Sequence, residues 1–273
     1  MAEEGKTPPL IDLHCHLLPG VDDGSATAAQ SAEVAERLWN HGVREVCLTP
    51  HVRLSETAGA PRTALLAGFA SAYESLLAAT AKSSMRFWSG AEIMINEPPS
   101  ARHDLGAPLT LGESSAILIE FPASITSAAV VGTVRALRDR ALVPLIAHPE
   151  RYECCLPDTV NSWREAGAWI QADATTAVFG AHGRGERARG LLRLGLVDVL
   201  AGDNHGDDRS LGAAYRFLVA AGHADAADQL CSASARALLS GAPRPAPLSV
   251  ELAIGARKGS SVFDRVRQLW RPR

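Results

Sequence analysis

The sequence predicts a single α/β domain built as a distorted barrel of about seven βα repeats, and three observations lead there. Apolar runs rich in Val, Ile and Leu alternate with helical patterns along most of the chain, as parallel strands joined by crossover helices require. A length of 273 residues with 47% hydrophobic content suits one large core. Nearly every apolar run ends at or close to a His, Asp or Glu, and a parallel barrel gathers its chemistry where strands give way to loops.

The elements follow in order. Strands are expected near 10–14, 43–49, 86–95, 116–121, 143–147, 168–173 and 197–202. Between them "ATAAQSAEVAERLWNHG" reads as a helix closed by Gly42, and "RTALLAGFASAYESLLAATA" and "SITSAAVVGTVRALRDRA" as two more. A short helix surrounds Trp163, and "RGERARGLLRLGL" forms the next. Two further helices, about 210–222 and 224–240, are expected to close the barrel or cover one end. Residues 1–9 form a lead, 10–240 the barrel, and 241–273 a linker and tail, the linker "SGAPRPAPLS" having the glycine and proline density of a boundary.

Composition removes several function classes. A net charge of -3 and 5% aromatics supply neither the basic surface nor the stacking platforms of a nucleic-acid binder. The N-terminal "MAEEGKTPPL" is acidic without an apolar stretch, and no run of 18 apolar residues occurs, so a cytoplasmic protein is expected. From Arg257 onward six basic residues face one acid, a tail of +5 against a body of -8. Val262, Val266, Leu269 and Trp270 would share one helical face there, as a contact with a membrane surface or an acidic partner requires. No signal speaks to oligomeric state.

The five cysteines, two of them adjacent, form no disulfide framework. "CLTPHVR", from Cys47 to Arg53, has the C-x5-R spacing of thiol phosphatases. That loop would have to wrap phosphate with backbone N–H groups, yet it contains Pro50 and no glycine, so a cysteine nucleophile is disfavoured.

"LIDLHCHLLPGVDDG" opens the chemistry. His14 and His16 lie two residues apart at the end of a strand, on one face, with Asp23 following. Later strand ends supply His51, Glu92, Glu120 and His148, and "AGDNHGDDR" supplies Asp203 and His205, again two residues apart. One such residue would be read as a helix cap. Nine aimed at one mouth exceed what capping explains, and exceed one ion's needs. The mixture of imidazole and carboxylate suits Mn, Fe or Zn better than Ca or Mg, so two or three ions are expected. Such clusters clamp phosphoryl oxygens during in-line displacement, which makes phosphoester hydrolysis the expected reaction. Arg151 in "HPERY" and Arg209 in "NHGDDR" have forked donors suited to non-bridging phosphate oxygens. His41, His103, His182 and His223 fall at helix ends or in loops and receive no role.

Through "DLHCHLLPGVDDG", "TPHV", "GAEI", "ILIEFP", "AHPERY" and "GDNH", in that order, residues 10–240 resemble the polymerase and histidinol phosphatase (PHP) superfamily, and within it the CpsB/CapC-type bacterial protein-tyrosine phosphatases. "GDNH" stands where "SDAH" is more usual, and the loop "NEPPSARHDLGAP" is proline-rich. The resemblance implies a distorted barrel of seven parallel strands (the PHP fold) and a trinuclear site supplied with manganese. It also implies hydrolysis of phosphotyrosine on a bacterial tyrosine autokinase that controls capsule or exopolysaccharide synthesis. By motif, His14, His16, Glu92 and Asp203 would hold one metal; Glu92 would bridge to a second with Glu120 and His148; Asp23, His51 and His205 would hold the third. Arg151, and with it Arg209, would bind phosphate. Two other readings stay open: a PHP phosphatase of a small phosphate monoester such as histidinol phosphate, and a non-catalytic scaffold in polysaccharide assembly.

Overall fold

Six consecutive buried residues, Leu10–Cys15, form the first strand, β1, and their burial on both faces is what a strand inside a parallel α/β structure requires. The computed structural model describes residues 8–252. After β1 come helix α1 (Ala28–Asn40), strands β2 (Val43–Leu48) and β3 (His51–Arg53), helix α2 (Gly59–Ala79), and strands β4 (Arg86–Ser89), β5 (Glu92–Met94) and β6 (Ala116–Glu120). Helix α3 (Ser127–Arg138), β7 (Val143–Ala147), α4 (Pro157–Glu165), β8 (Trp169–Asp173), α5 (Ala174–Phe179), α6 (Arg184–Arg193) and β9 (Val199–Ala201) continue the alternation. Helices α7 (Leu211–Ala220), α8 (Ala224–Asp228) and α9 (Ser234–Ser240) end it.

Among the described residues every strand pairing is parallel. The strands form two sheets, β1-β2-β4 and β3-β5-β6-β7-β8-β9. The expected strand 43–49 is found as β2, with a separate piece, β3, after a break at Thr49 and Pro50, and the expected strand 86–95 is divided between β4 and β5, so among the described residues seven strand positions yield nine pieces. Chemistry explains the first break, because Pro50 has no N–H to give the ladder. Its carbonyl instead accepts the Glu92 N–H at 3.1 Å. The second lies at Gly90, where a Cβ would sit 3.0 Å from Leu111 Cδ2 and 3.4 Å from the Leu48 carbonyl, a tight fit that favours glycine. The breaks carry His51 and Glu92 into the second sheet as direct register partners, and Met94 beside Glu120. A ring closes where the last strand meets the first: Cys15 bridges to Asn204, His16 N–H donates to the Asn204 carbonyl (2.8 Å), and Asp203 N–H to the His14 carbonyl (2.9 Å).

Helix ends follow local rules. Thr27 caps α1 by accepting the Gln30 N–H (3.2 Å), and Val34 and Leu38 turn inward from it. Ile11, Leu13, Cys47, Leu118, Leu145 and Val199 pack together with Ala235 and Leu238 of α9, which plugs one end of the barrel. The expected helix 224–240 is interrupted by a π-helical turn at Gln229–Ala233, where the Ser232 hydroxyl donates to the Pro9 carbonyl at 2.8 Å. Helix α5 has no counterpart among the expected elements; it is one short turn-and-a-half capped by the Asp173 side chain on the Thr176 N–H (2.7 Å). Among the described residues no helix is long and apolar enough to cross a membrane. The amphipathic segment expected at 257–273 lies outside the described residues.

Candidate metal centre

His14, in β1, and His16, just past its end, meet with their Nε2 atoms 3.0 Å apart. Each ring is held from behind. His14 Nδ1 lies 3.1 Å from Gln171 Oε1, an amide oxygen that also accepts the His148 N–H (3.4 Å). His16 Nδ1 lies 2.8 Å from Asp22 Oδ2, which accepts the His51 N–H as well (3.1 Å), while Asp22 Oδ1 takes the Gly24 N–H (3.0 Å). With both Nδ1 atoms donating, the two Nε2 lone pairs face one another, and only a proton or a cation between them relieves the repulsion.

Glu92 stands at the middle. Its Oε1 is 2.8 Å from His148 Nε2; its Oε2 is 3.1 Å from His14 Nε2, 3.0 Å from His51 Nδ1 and 3.5 Å from His16 Nε2. Buried Oε2 nevertheless has no properly formed hydrogen bond, and neither does Asp203 Oδ1, which lies 3.3 and 3.5 Å from the His14 and His16 Nε2 atoms. Glu120 Oε1 is 3.4 Å from His51 Nδ1, and Asp23 Oδ1 is 3.4 Å from both His51 Nε2 and His205 Nε2. The His205 ring stacks on His16 at 3.9 Å. All nine residues expected from the sequence therefore gather at one mouth. Among the described residues, three overlapping sets have donor atoms within 4.8 Å of one another: His16, Asp23, His51 and His205; His14, His16 and Glu92; His51, Glu92 and Glu120.

Charge at this mouth calls for a cation. Burial by itself would push His14 down, yet Glu92 and Asp203 outweigh it and raise the ring to about 9. At His51 burial also opposes, and Glu120 and Glu92 raise it to about 11. Burial favours the neutral acid at Glu92 and Asp203, but the surrounding imidazoles, with Arg151 at Asp203, hold both carboxyls well below their ordinary range. The orphaned Glu92 Oε2 and Asp203 Oδ1 each face several imidazole nitrogens, an arrangement that a bound metal cation would satisfy. The donor set fits Mn, Fe or Zn.

Both arginines reach the same place. Arg151 Nη2 and Arg209 Nη1 (3.1 Å) donate to Asp203 Oδ2, on the side away from the histidines, and Arg209 Nε is held by Asp207 Oδ2 (2.8 Å). Cys47 is fully buried, and burial, with Asp12 and Glu45, pushes its thiol up, against any role as a nucleophile. The four histidines given no role serve elsewhere or lie apart: His41 Nδ1 meets Ser210 Oγ at 2.7 Å and His103 Nδ1 accepts the Ser100 N–H at 3.0 Å. Sequence reasoning missed Asp22 and Gln171. Asp22 adjoins Asp23, and Gln171 lies in the expected strand 168–173, the one strand to which no candidate had been assigned.

A family model described as "Capsular polysaccharide synthesis, CpsB/CapC" matches residues 10–240. The chain belongs to the CpsB/CapC family. This CpsB/CapC chain is 29% identical over 205 residues to tyrosine-protein phosphatase YwqE of Bacillus subtilis strain 168, covering 72% of this chain and 77% of the relative. It is 27% identical over 210 residues to tyrosine-protein phosphatase CpsB of Streptococcus pneumoniae, covering 73% and 84%. Among solved structures it is similar to one from a study of Bacillus subtilis YwqE and Streptococcus pneumoniae CpsB, described there as metal-dependent tyrosine phosphatases. That match has a TM-score of 0.71 at 24% identity over 89% of this chain and 100% of the other. A triple mutant of an organophosphorus hydrolase from Deinococcus radiodurans shares the fold more distantly, with a TM-score of 0.52 at 13% identity over 85% and 93%. At these identities the solved structures speak for the barrel fold alone.

Proposed function

We propose that this CpsB/CapC chain is a metal-dependent protein-tyrosine phosphatase whose substrate is a phosphorylated bacterial tyrosine kinase of the cytoplasm, in the control of capsule or exopolysaccharide synthesis. The observation that carries the reading is the convergence of five imidazoles and four carboxylates on one mouth, with two guanidinium groups at its edge. Residues His14, His16, Glu92 and Asp203 are assigned to one ion, Glu92, Glu120 and His148 to a second, and Asp23, His51 and His205 to the third. Two or three manganese ions, with iron or zinc as substitutes, would supply Lewis acidity toward a phosphoryl group and acidify water.

The protein's own part is positioning and electrostatics. Arg151 and Arg209 are 30% and 20% exposed, so their planar donors face both Asp203 and the opening, where they hold non-bridging phosphate oxygens as negative charge grows. Asp203 orients both of them. The buried His14, His16, Glu92 and His148 exclude water from the deep side of the mouth. On the other side His51 is 36% exposed and Asp23 73%, an open edge that suits a phosphotyrosine displayed on a protein surface better than a small metabolite to be enclosed. Tyrosine, with a pKa near ~10, leaves without a strong general acid, and none is assigned.

The test is hydrolysis of a phosphotyrosine peptide by chelator-stripped protein, then by the same sample with manganese restored, with histidinol phosphate run in parallel. Peptide hydrolysis should vanish and return. Turnover of histidinol phosphate alone would move the substrate to a small monoester, and metal uptake without either turnover would favour a scaffold.

A further inference from the structure

Between His148 and Arg151 the chain makes a single tight turn, and this turn carries two candidate site residues of different kinds. His148 takes a left-handed conformation (φ 30°, ψ 58°), uncommon for a residue with a side chain and stable only when its surroundings enforce it. Arg151 N–H closes the turn on the His148 carbonyl at 3.0 Å. Between them lies Glu150, whose carbonyl accepts two hydrogen bonds from one guanidinium, Arg187 Nε at 2.8 Å and Nη2 at 2.6 Å. Arg187 belongs to the surface helix α6, is exposed, and touches none of the nine cluster residues in these contacts. Glu150 is fully buried and its Oε1 accepts the Asp173 N–H (2.9 Å), so the turn is held on its inner side by β8 and on its outer side by α6.

We propose that Arg187 is a positioning residue for the metal centre: its paired hydrogen bonds to the Glu150 carbonyl hold the strained 148–151 turn so that His148 meets Glu92 and Arg151 meets Asp203. This inference rests on the metal-centre reading above. A guanidinium fork fixes a carbonyl in direction as well as distance, which a single ammonium does not. Released from α6, His148 gains access to ordinary backbone conformations, and its ring leaves the line to Glu92 Oε1 that now measures 2.8 Å. Arg187 therefore acts on metal affinity and on turnover through the turn, without touching substrate.

The control lies two residues away on the same helix. Arg189 likewise clamps carbonyls, those of Ala177, Gly180 and Ala181, but it ties α6 to α5 and leaves the turn alone. Four proteins are compared, wild type, Arg187→Ala, Arg187→Lys and Arg189→Ala, for thermal melting, manganese affinity of the chelator-stripped protein, and kcat and KM on p-nitrophenyl phosphate. Arg187→Ala should weaken manganese binding and lower kcat, each roughly tenfold, as loss of a residue supporting a ligand does. Arg187→Lys should recover part of both. Arg189→Ala should keep both within about twofold even where its melting temperature falls. The inference is overturned if Arg187→Ala binds manganese like wild type, or if both alanine variants lose affinity in step with melting temperature. Manganese affinity decides the matter even for a wild type that hydrolyses no aryl phosphate, a result that would remove only the phosphatase reading.

Discussion

At the scale of single residues, Asp22 and Gln171 hold the converging side chains from behind. Asp22 accepts from His16 Nδ1 and from the His51 and Gly24 backbone N–H groups, so one carboxylate orients two candidate ligands. Asp22→Asn removes the charge and turns an amide N–H toward donors, and it should cost about 10- to 100-fold in manganese affinity or turnover; an affinity unchanged from wild type would refute the orienting role. His41 gives a pH signature. Burial, with Arg216 and Arg37 nearby, lowers it from 6.5 to about 4. The unfolded chain therefore takes up this proton first as pH falls, and the stability tied to neutral His41 is present above about pH 6.5 and lost on the way to about 4. Asp12, raised to about 6 mainly by burial, and Glu150, raised to about 8 by burial and Asp173, act in the opposite sense. The His41 contribution must accordingly be read as a difference: melting temperature should fall more steeply between pH 6.5 and 4.5 in wild type than in His41→Gln, and parallel curves would refute it. The nine candidates were legible in the sequence because each lies within an apolar strand run, at its end or in the loop that follows it. Asp22 and Gln171 were not, since their significance is a hydrogen bond to a residue on another loop or strand.

At the scale of elements, the loop after β1 and the two broken strands decide the geometry. Gly24 is there for close approach, not for an unusual dihedral angle: a Cβ on it would fall 2.1 Å from the His16 carbonyl oxygen and 2.6 Å from His16 Cβ. Gly24→Ala must push His16 out of line with His14, and should weaken manganese binding by roughly tenfold or more while the far-ultraviolet circular dichroism stays that of a folded barrel. Normal affinity in that variant would mean the loop yields. The strand breaks were only half visible. Pro50 signals the first, but the apolar run 86–95 reads as one strand, and the close approach of Leu111 and the Leu48 carbonyl to Gly90 comes from other elements. The π turn at Gln229–Ala233 and the short α5 were equally hidden, being answers to packing at the barrel's end and to an Asp173 cap.

At the scale of the whole molecule, charge is divided, with -8 on residues 1–256 and +5 from Arg257 onward. We propose that this basic segment, which lies outside the described residues, meets an acidic partner or an anionic membrane surface. Deletion of 257–273 should leave kcat/KM on p-nitrophenyl phosphate within about twofold while slowing dephosphorylation of the phosphorylated kinase several-fold, more so at low salt; equal rates on the kinase would dismiss the arm. The sequence by itself determined the βα alternation, the order of the strands and the residue types at their ends, because hydrophobic period and chain order are local properties. It also carried the family motifs. Only the tertiary structure decided that β1 closes on the segment after β9, that His51 and Glu92 lie side by side across two strand breaks, and that two arginines share one oxygen of Asp203. Those are relations between residues far apart in the chain, created when the ring closes, and no local pattern encodes the distance between them.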